Sequence, residues 1–324
     1  MRPRHWLRAL GTIVVALLVA LGGLFVARDD ERAPLTDEVR RDVSGSFVRL
    51  PEGVVHYEMV GPRAGRTVVL VHGFSVPAYI WDPTFDALAR AGYRVLRYDL
   101  YGRGYSDRPD VDYDRELFDR QLAGLLDSLD VSGPVDVMGL SMGGSIAGTF
   151  AARHPERVRT LTLVDPAFAS PRALSLLERT PLVRDYLHAV LAVPSMPEGQ
   201  LADFHRPEKH RDWPDRYRAQ MRYDGFRRAI LSTRLTRATL DERPTLARLD
   251  SLRMPVLLIW GEHDAGITRE AMDEIRKAIR RTQFHAIADA GHIPHYERPE
   301  VVNPILLDFL ERGGPRPLLA EHAR

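Results

Sequence analysis

Gly139-Leu140-Ser141-Met142-Gly143 follows directly on the short run Val135-Asp136-Val137-Met138. A strand that turns sharply into a helix needs small residues on both sides of the turn, because backbone crosses closely over backbone there. Gly139 and Gly143 meet that need, and Ser141 between them takes a strained conformation with its hydroxyl pushed past the sheet edge. A buried strand feeding straight into a helix is the repeating unit of an α/β protein. The same turn leaves Ser141 placed to attack something.

From Phe47 onward, short apolar runs alternate with longer helical patterns, which predicts an α/β fold on a mostly parallel sheet flanked by helices. Phe47–Leu50 and Val54–Val60 flank the turn sequence Pro51-Glu52-Gly53 and predict an opening hairpin. Thr67–His72, Tyr93–Tyr98, Val135–Met138, Leu161–Val164, Val256–Trp260 and Gln283–Ile287 are the later strand candidates. They are rich in β-branched residues and leucine without alternation, as expected of strands covered on both faces. Helical patterns fall near residues 80–91, 114–129, 142–153, 268–281 and 299–311.

Two stretches depart from this rhythm. Between Val164 and Val256 only helical patterns occur, among them Ala173–Val193 and Gly225–Thr239, interrupted by Pro181, Pro194, Pro197, Pro207 and Pro214. An insertion of that length between core strands is expected to be a helical cap over the strand ends where open α/β sheets bind ligands. At the N-terminus, Arg2, Arg4 and Arg8 precede a charge-free run from Ala9 to Ala27, closed by Arg28-Asp29-Asp30-Glu31-Arg32. As a helix that run reaches roughly 28 Å, enough to span a bilayer. It is expected to be an uncleaved anchor, with a cleaved signal as the alternative. The basic flank points to a cytoplasmic start, with all that follows Arg28 on the extracytoplasmic side, or secreted if cleavage occurs. The expected organisation is an anchor or signal over 1–28, a polar linker over 29–45, a core formed by 46–168 and 246–312, a cap over 169–245, and a disordered tail over 313–324.

Composition narrows the chemistry. The formal net charge of +1 and the lack of aromatics interleaved with basic clusters argue against a nucleic-acid partner. The absence of cysteine removes disulfides, thiolate metal sites and a cysteine nucleophile. No metal is expected either, since the histidines lack ligand spacing with carboxylates. A serine nucleophile needs a base, and the base needs an acid to orient it. Gly261-Glu262-His263-Asp264 follows one strand candidate and Gly291-His292 another, so Ser141, Asp264 and His292 all fall at strand ends. His72-Gly73-Phe74 follows the strand Val68–Val71, and the backbone N–H groups of Phe74 and Met142 are candidates to converge on an oxyanion. His263 and His295 are rival bases and Asp165 a rival acid. Asp289 is expected to serve a loop, and Asp99, Arg103, Ser106 and Asp107 to pin one. Trp81, Trp213 and Phe226 are expected to be packing residues or to line a pocket.

With these residues assembled, the chain from Phe47 to about Leu310 resembles the α/β-hydrolase superfamily, in its capped esterase, lipase and C–C hydrolase branch. The matching residues are His72-Gly73-Phe74, the run Asp99 to Asp107, Gly139 to Gly144, Gly261 to Asp264 and Gly291-His292, in the superfamily's order. The resemblance implies Ser141 as nucleophile, His292 as general base and then acid, Asp264 as orienting acid, and the Phe74 and Met142 amides as oxyanion hole. It implies a cofactor-free serine hydrolase acting on a small-molecule carboxylic ester, perhydrolase and C–C hydrolase chemistry being alternatives on the same residues. C–C hydrolases usually carry asparagine where this chain has Leu140. A non-catalytic, membrane-tethered binding protein is the alternative from another class.

Overall fold

The computed structural model describes residues 3–313. Of the tail expected to be disordered, everything beyond Gly313 lies outside the described residues. Among the described residues eight strands form one sheet: β1 (Ser46–Leu50), β2 (Gly53–Val60), β3 (Thr67–Val71), β4 (Arg94–Tyr98), β5 (Val135–Leu140), β6 (Val158–Val164), β7 (Val256–Gly261) and β8 (Thr282–Ile287). Their spatial order is β1-β2-β4-β3-β5-β6-β7-β8. The β1–β2 hairpin is antiparallel and β2 joins β4 antiparallel, while β3 to β8 run parallel.

The parallel strands lack alternation because both faces are covered. Val69 and Val71 of β3 join one apolar cluster with Val137, Leu161, Leu163, Phe150 and Met272, while Val68 and Leu70 join another with Val95, Met138, Trp81 and Phe309. Thirteen helices are described: α1 (Pro3–Ala27), α2 (Asp37–Arg41), α3 (Asp82–Arg90), α4 (Arg115–Ser128), α5 (Met142–Arg153), α6 (Pro181–Leu187), α7 (Met196–Gly199), α8 (Trp213–Arg218), α9 (Phe226–Thr239), α10 (Arg243–Ser251), α11 (Arg269–Ala278), α12 (Pro294–Glu297) and α13 (Pro299–Arg312). Short side-chain caps start several of them: Asp114 Oδ1 accepts from Leu117 N at 2.8 Å at the head of α4, and Thr268 caps α11.

Between β6 and β7 the described chain is helix and turn without a strand. The helix expected over Ala173–Val193 starts only at Pro181, whose fixed φ suits a first helical position and whose missing N–H bars an interior one. It continues into a π-turn at His188–Ala192. The insertion is seated on the core, since Phe204, Trp213, Tyr217, Met221, Phe226 and Ile230 are buried in the same cluster as Val68 and Leu70. Residues 29–45 carry α2 and are pinned at several points. Arg32 N donates to Arg222 O at 2.7 Å, Arg227 N to Glu31 Oε1 at 2.7 Å, and buried Arg40 pairs with Asp107. In α1, Arg8–Ala27 is a 20-residue apolar stretch long enough to cross a membrane, and its side chains are largely exposed.

Candidate active site

Ser141 sits between β5 and α5 at φ 53° and ψ −120°, a backbone region that L-residues seldom adopt. Backbone hydrogen bonds hold the strain. Ser141 N donates to Val164 O at 2.9 Å, and Ser141 O accepts from Gly144 N at 2.9 Å and Ala167 N at 3.0 Å. A Cβ at Gly139 would collide with the Gly143 carbonyl, and one at Gly143 with the carbonyls of Val71 and His72. Both glycines are therefore required by close backbone approach, and α5 can start directly behind the serine.

His292 follows β8 and Asp264 follows β7. His292 Nδ1 lies 2.6 Å from Asp264 Oδ2, so the ring donates to the carboxylate. The other oxygen, Asp264 Oδ1, accepts from Gly266 N at 2.7 Å and Ile267 N at 2.9 Å, which fixes the carboxylate plane. His292 N donates to the backbone carbonyl of Asp203 at 2.8 Å, tying this loop to the insertion. Burial disfavours the charged imidazolium, but the hydrogen bond and charge of Asp264, with Asp203 adding, outweigh it and raise His292 above 6.5. Burial likewise pushes Asp264 up, yet His292 and the backbone donors hold it below the usual carboxylate range.

Asp165, the rival acid at the end of β6, is fully buried and has φ 41°. Its Oδ1 accepts from Gly261 N at 3.0 Å and its Oδ2 has no hydrogen-bond partner. Burial first, and then the charge of Asp264, push it well above the carboxylate range. Asp165 lies beside Asp264, and of the two only Asp264 hydrogen-bonds the imidazole.

Ser141 and His292 line one cavity of about 210 Å³ with Phe74, Gln200, Asp203 and Trp213. Phe74 N and Met142 N, the latter at the head of α5, are in no hydrogen bond to a protein acceptor among the described residues, so both donors are available. Burial raises Asp203 while His292 opposes that rise. Asp203 and Gln200 carried no motif; only their place in an insertion between strands hints at a role over the site. Arg103 is also closer to the site than its loop-pinning role foretells. It is wholly buried, donates to Phe74 O at 2.8 Å, Tyr101 O at 3.1 Å and Thr233 Oγ1 at 2.9 Å, and lies over the Phe74 ring.

The other candidates are elsewhere. His295 is buried against Trp81, 4.2 Å between ring centroids, and its Nε2 is 3.1 Å from Ile80 O. His263 stacks on His205. Asp99 binds His56 Nδ1 at 2.8 Å and accepts from Ala78 N and Tyr105 N, while Ser106 Oγ donates to Asp99 O, so this cluster orders the β4 loop. Trp81 and Phe226 are core residues. Among the described residues two groups of side chains converge closely enough to share an ion: Asp165, Asp264 and His292, in which His292 is bonded to Asp264, and His205, His263 and Asp289.

The model of the alpha/beta hydrolase fold matches residues 66–299. A 2-hydroxy-6-oxononadienedioate/2-hydroxy-6-oxononatrienedioate hydrolase of Paraburkholderia xenovorans is 29% identical over 82% of this chain and 95% of its own. Lipase 1 of Psychrobacter immobilis is 29% identical over 74% of this chain and 75% of its own. Among solved structures, a membrane phospholipase A described as a bacterial virulence factor superposes with a TM-score of 0.67 at 27% identity, covering 94% of this chain and 98% of that one.

Proposed function

The chain belongs to the α/β-hydrolase fold family, and from that premise we propose that it is a serine hydrolase cleaving a carboxylic ester through an acyl-enzyme. The observation that carries this reading is the strained Ser141 opening onto the same cavity as an Asp264-bound His292. His292 Nε2 takes the Ser141 proton as Oγ attacks the ester carbonyl, and the imidazolium so formed is stabilised by Asp264. The Phe74 and Met142 amides receive the developing oxyanion, the Met142 donor aided by the partial positive charge at the head of α5. His292 returns the proton to the leaving alkoxide, then activates water to hydrolyse the acyl-enzyme. Residues 169–245 act as a cap that closes the cavity with Gln200, Asp203 and Trp213.

A cavity of about 210 Å³ is smaller than the roughly 300–1,000 Å³ of sites that enclose drug-sized ligands. A short acyl group fits within it, and a long one must extend between cap and core. The apolar α1, together with the likeness to the membrane phospholipase A, favours an apolar ester that partitions into lipid. The likeness to the 2-hydroxy-6-oxononadienedioate hydrolase supports C–C bond hydrolysis on the same residues as a second reading, against which stands Leu140. Turnover of p-nitrophenyl esters from acetyl to palmitoyl, beside Ser141→Ala, decides among these. The ester reading expects a graded preference with acyl length and a loss of roughly four orders of magnitude in kcat in the variant. Near-normal ester turnover by Ser141→Ala contradicts it, and no ester turnover with intact C–C cleavage transfers the site to the second reading.

A further inference from the structure

We propose that His205, His263 and Asp289 form a binding site for one zinc-type divalent cation, which ties the helical insertion to the two loops that carry Asp264 and His292. One ligand atom from each of the three side chains lies within 4.8 Å of the others. They come from three separate segments. His205 follows the short helical turn Gln200–Asp203 of the insertion, His263 follows β7, and Asp289 follows β8. The two imidazoles stack with centroids 3.9 Å apart and planes 21° from parallel, and His205 Nε2 is 4.0 Å from Asp289 Oδ1. Among the described residues neither imidazole has a hydrogen bond, so their ring nitrogens are open to a ligand.

The backbones that carry these side chains are held in place. Glu297 accepts from His205 N at 2.9 Å through one oxygen and from Gly291 N at 2.6 Å through the other, joining insertion to β8 loop. His263 N donates to Ala290 O at 2.9 Å, joining the β7 loop to the same segment.

Two imidazole nitrogens and one carboxylate oxygen are the donor set that suits Zn²⁺, with water in the fourth position. Metal–nitrogen bonds of about 2.0–2.1 Å in the plane of each ring need the donors drawn closer and the His205–His263 stack opened, and the exposed His263 and Asp289 side chains have room to turn. Arg298, 3.5 Å from Asp289, holds the carboxylate while no cation is bound. The ion then exchanges that loose pairing for a link among three loops, and it stabilises the folded chain by mass action.

The test is calorimetric titration of tag-free, full-length protein with Zn²⁺ alone, paired with thermal melting. One ion per chain is expected, with a rise in Tm. His205→Ala and His263→Gln, each checked for native circular dichroism, should weaken binding by about tenfold or more and remove the Tm rise. His292→Ala should leave affinity unchanged, because the Asp165, Asp264 and His292 group is not the site. The proposal is overturned if the folded wild type shows no saturable binding, or if His292→Ala loses the ion while both other variants keep it.

Discussion

Two aspartates lie behind one histidine, and their surroundings push their pKa values in opposite directions. Asp264 accepts from two backbone amides and from His292, while Asp165 has one amide donor and an oxygen with none. Replacing each by asparagine therefore gives opposite results. Asp264→Asn is expected to lower kcat by about four orders of magnitude by favouring the wrong imidazole tautomer. Asp165→Asn can keep the bond from Gly261 N and is neutral, the form that burial favours at this position, so kcat should stay within a few-fold of wild type. The folded pKa of Asp165 lies above its unfolded 3.8, so the stability it contributes is fully present below that pH and is lost as pH rises through the folded value. Asp165→Asn lacks that loss, and its Tm relative to wild type should climb from acid to neutral pH. In kcat/KM profiles the acid limb reports His292, which must be neutral to act as base; the limb is expected above 6.5 and should move down in Asp264→Asn. A large kcat loss in Asp165→Asn, or a wild-type limb below 6.5, contradicts this assignment.

At the scale of elements, the loop after β3 depends on a residue from the loop after β4. Arg103 has no carboxylate partner among the described residues; its charge is spread over two carbonyls, one hydroxyl and the rings of Phe74, Tyr113 and Phe118. Burial lowers it to about 10. Because it grips Phe74 O and reaches Thr233 on α9, it sets the candidate oxyanion loop against the insertion. Arg103→Met should leave the Phe74 and Tyr101 carbonyls without that donor, costing about 1–3 kcal/mol each. Steady-state kinetics should show kcat falling about tenfold or more with a smaller change in KM, partly rescued by Arg103→Lys. Equal loss in both parameters, or none, removes Arg103 from a positioning role. This contact also marks where sequence reading stops. The strand–turn–helix at Ser141 and the strand ends bearing Asp264 and His292 are legible because glycines, apolar runs and polar strand-end residues are local signals. The bond from Arg103 to Thr233 crosses from core to insertion, and Asp203 faces His292 only after the insertion folds back. Neither has a local signature, and the helix misplaced over 173–180 reflects apolar spacing with no cap to stop it before Pro181.

At the scale of the molecule, α1 and the insertion meet on one side. Tyr186 Oη donates to Leu21 O at 3.0 Å, Phe25 stacks on Tyr186, and Arg227 lies over Phe25 while pairing with Asp29. If α1 anchors the chain, these contacts set where the insertion stands relative to the bilayer. The full-length protein is expected to stay with membranes through an alkaline carbonate wash; release into the supernatant at full length removes the anchor from the account. The central claim rests on Ser141, and the most direct measurement is intact-mass and peptide mapping after treatment with a fluorophosphonate probe. A single adduct on Ser141, absent from Ser141→Ala and much slower to form in His292→Ala, is the predicted result. A folded wild-type protein that takes up no probe, or takes it up at another residue, contradicts the claim.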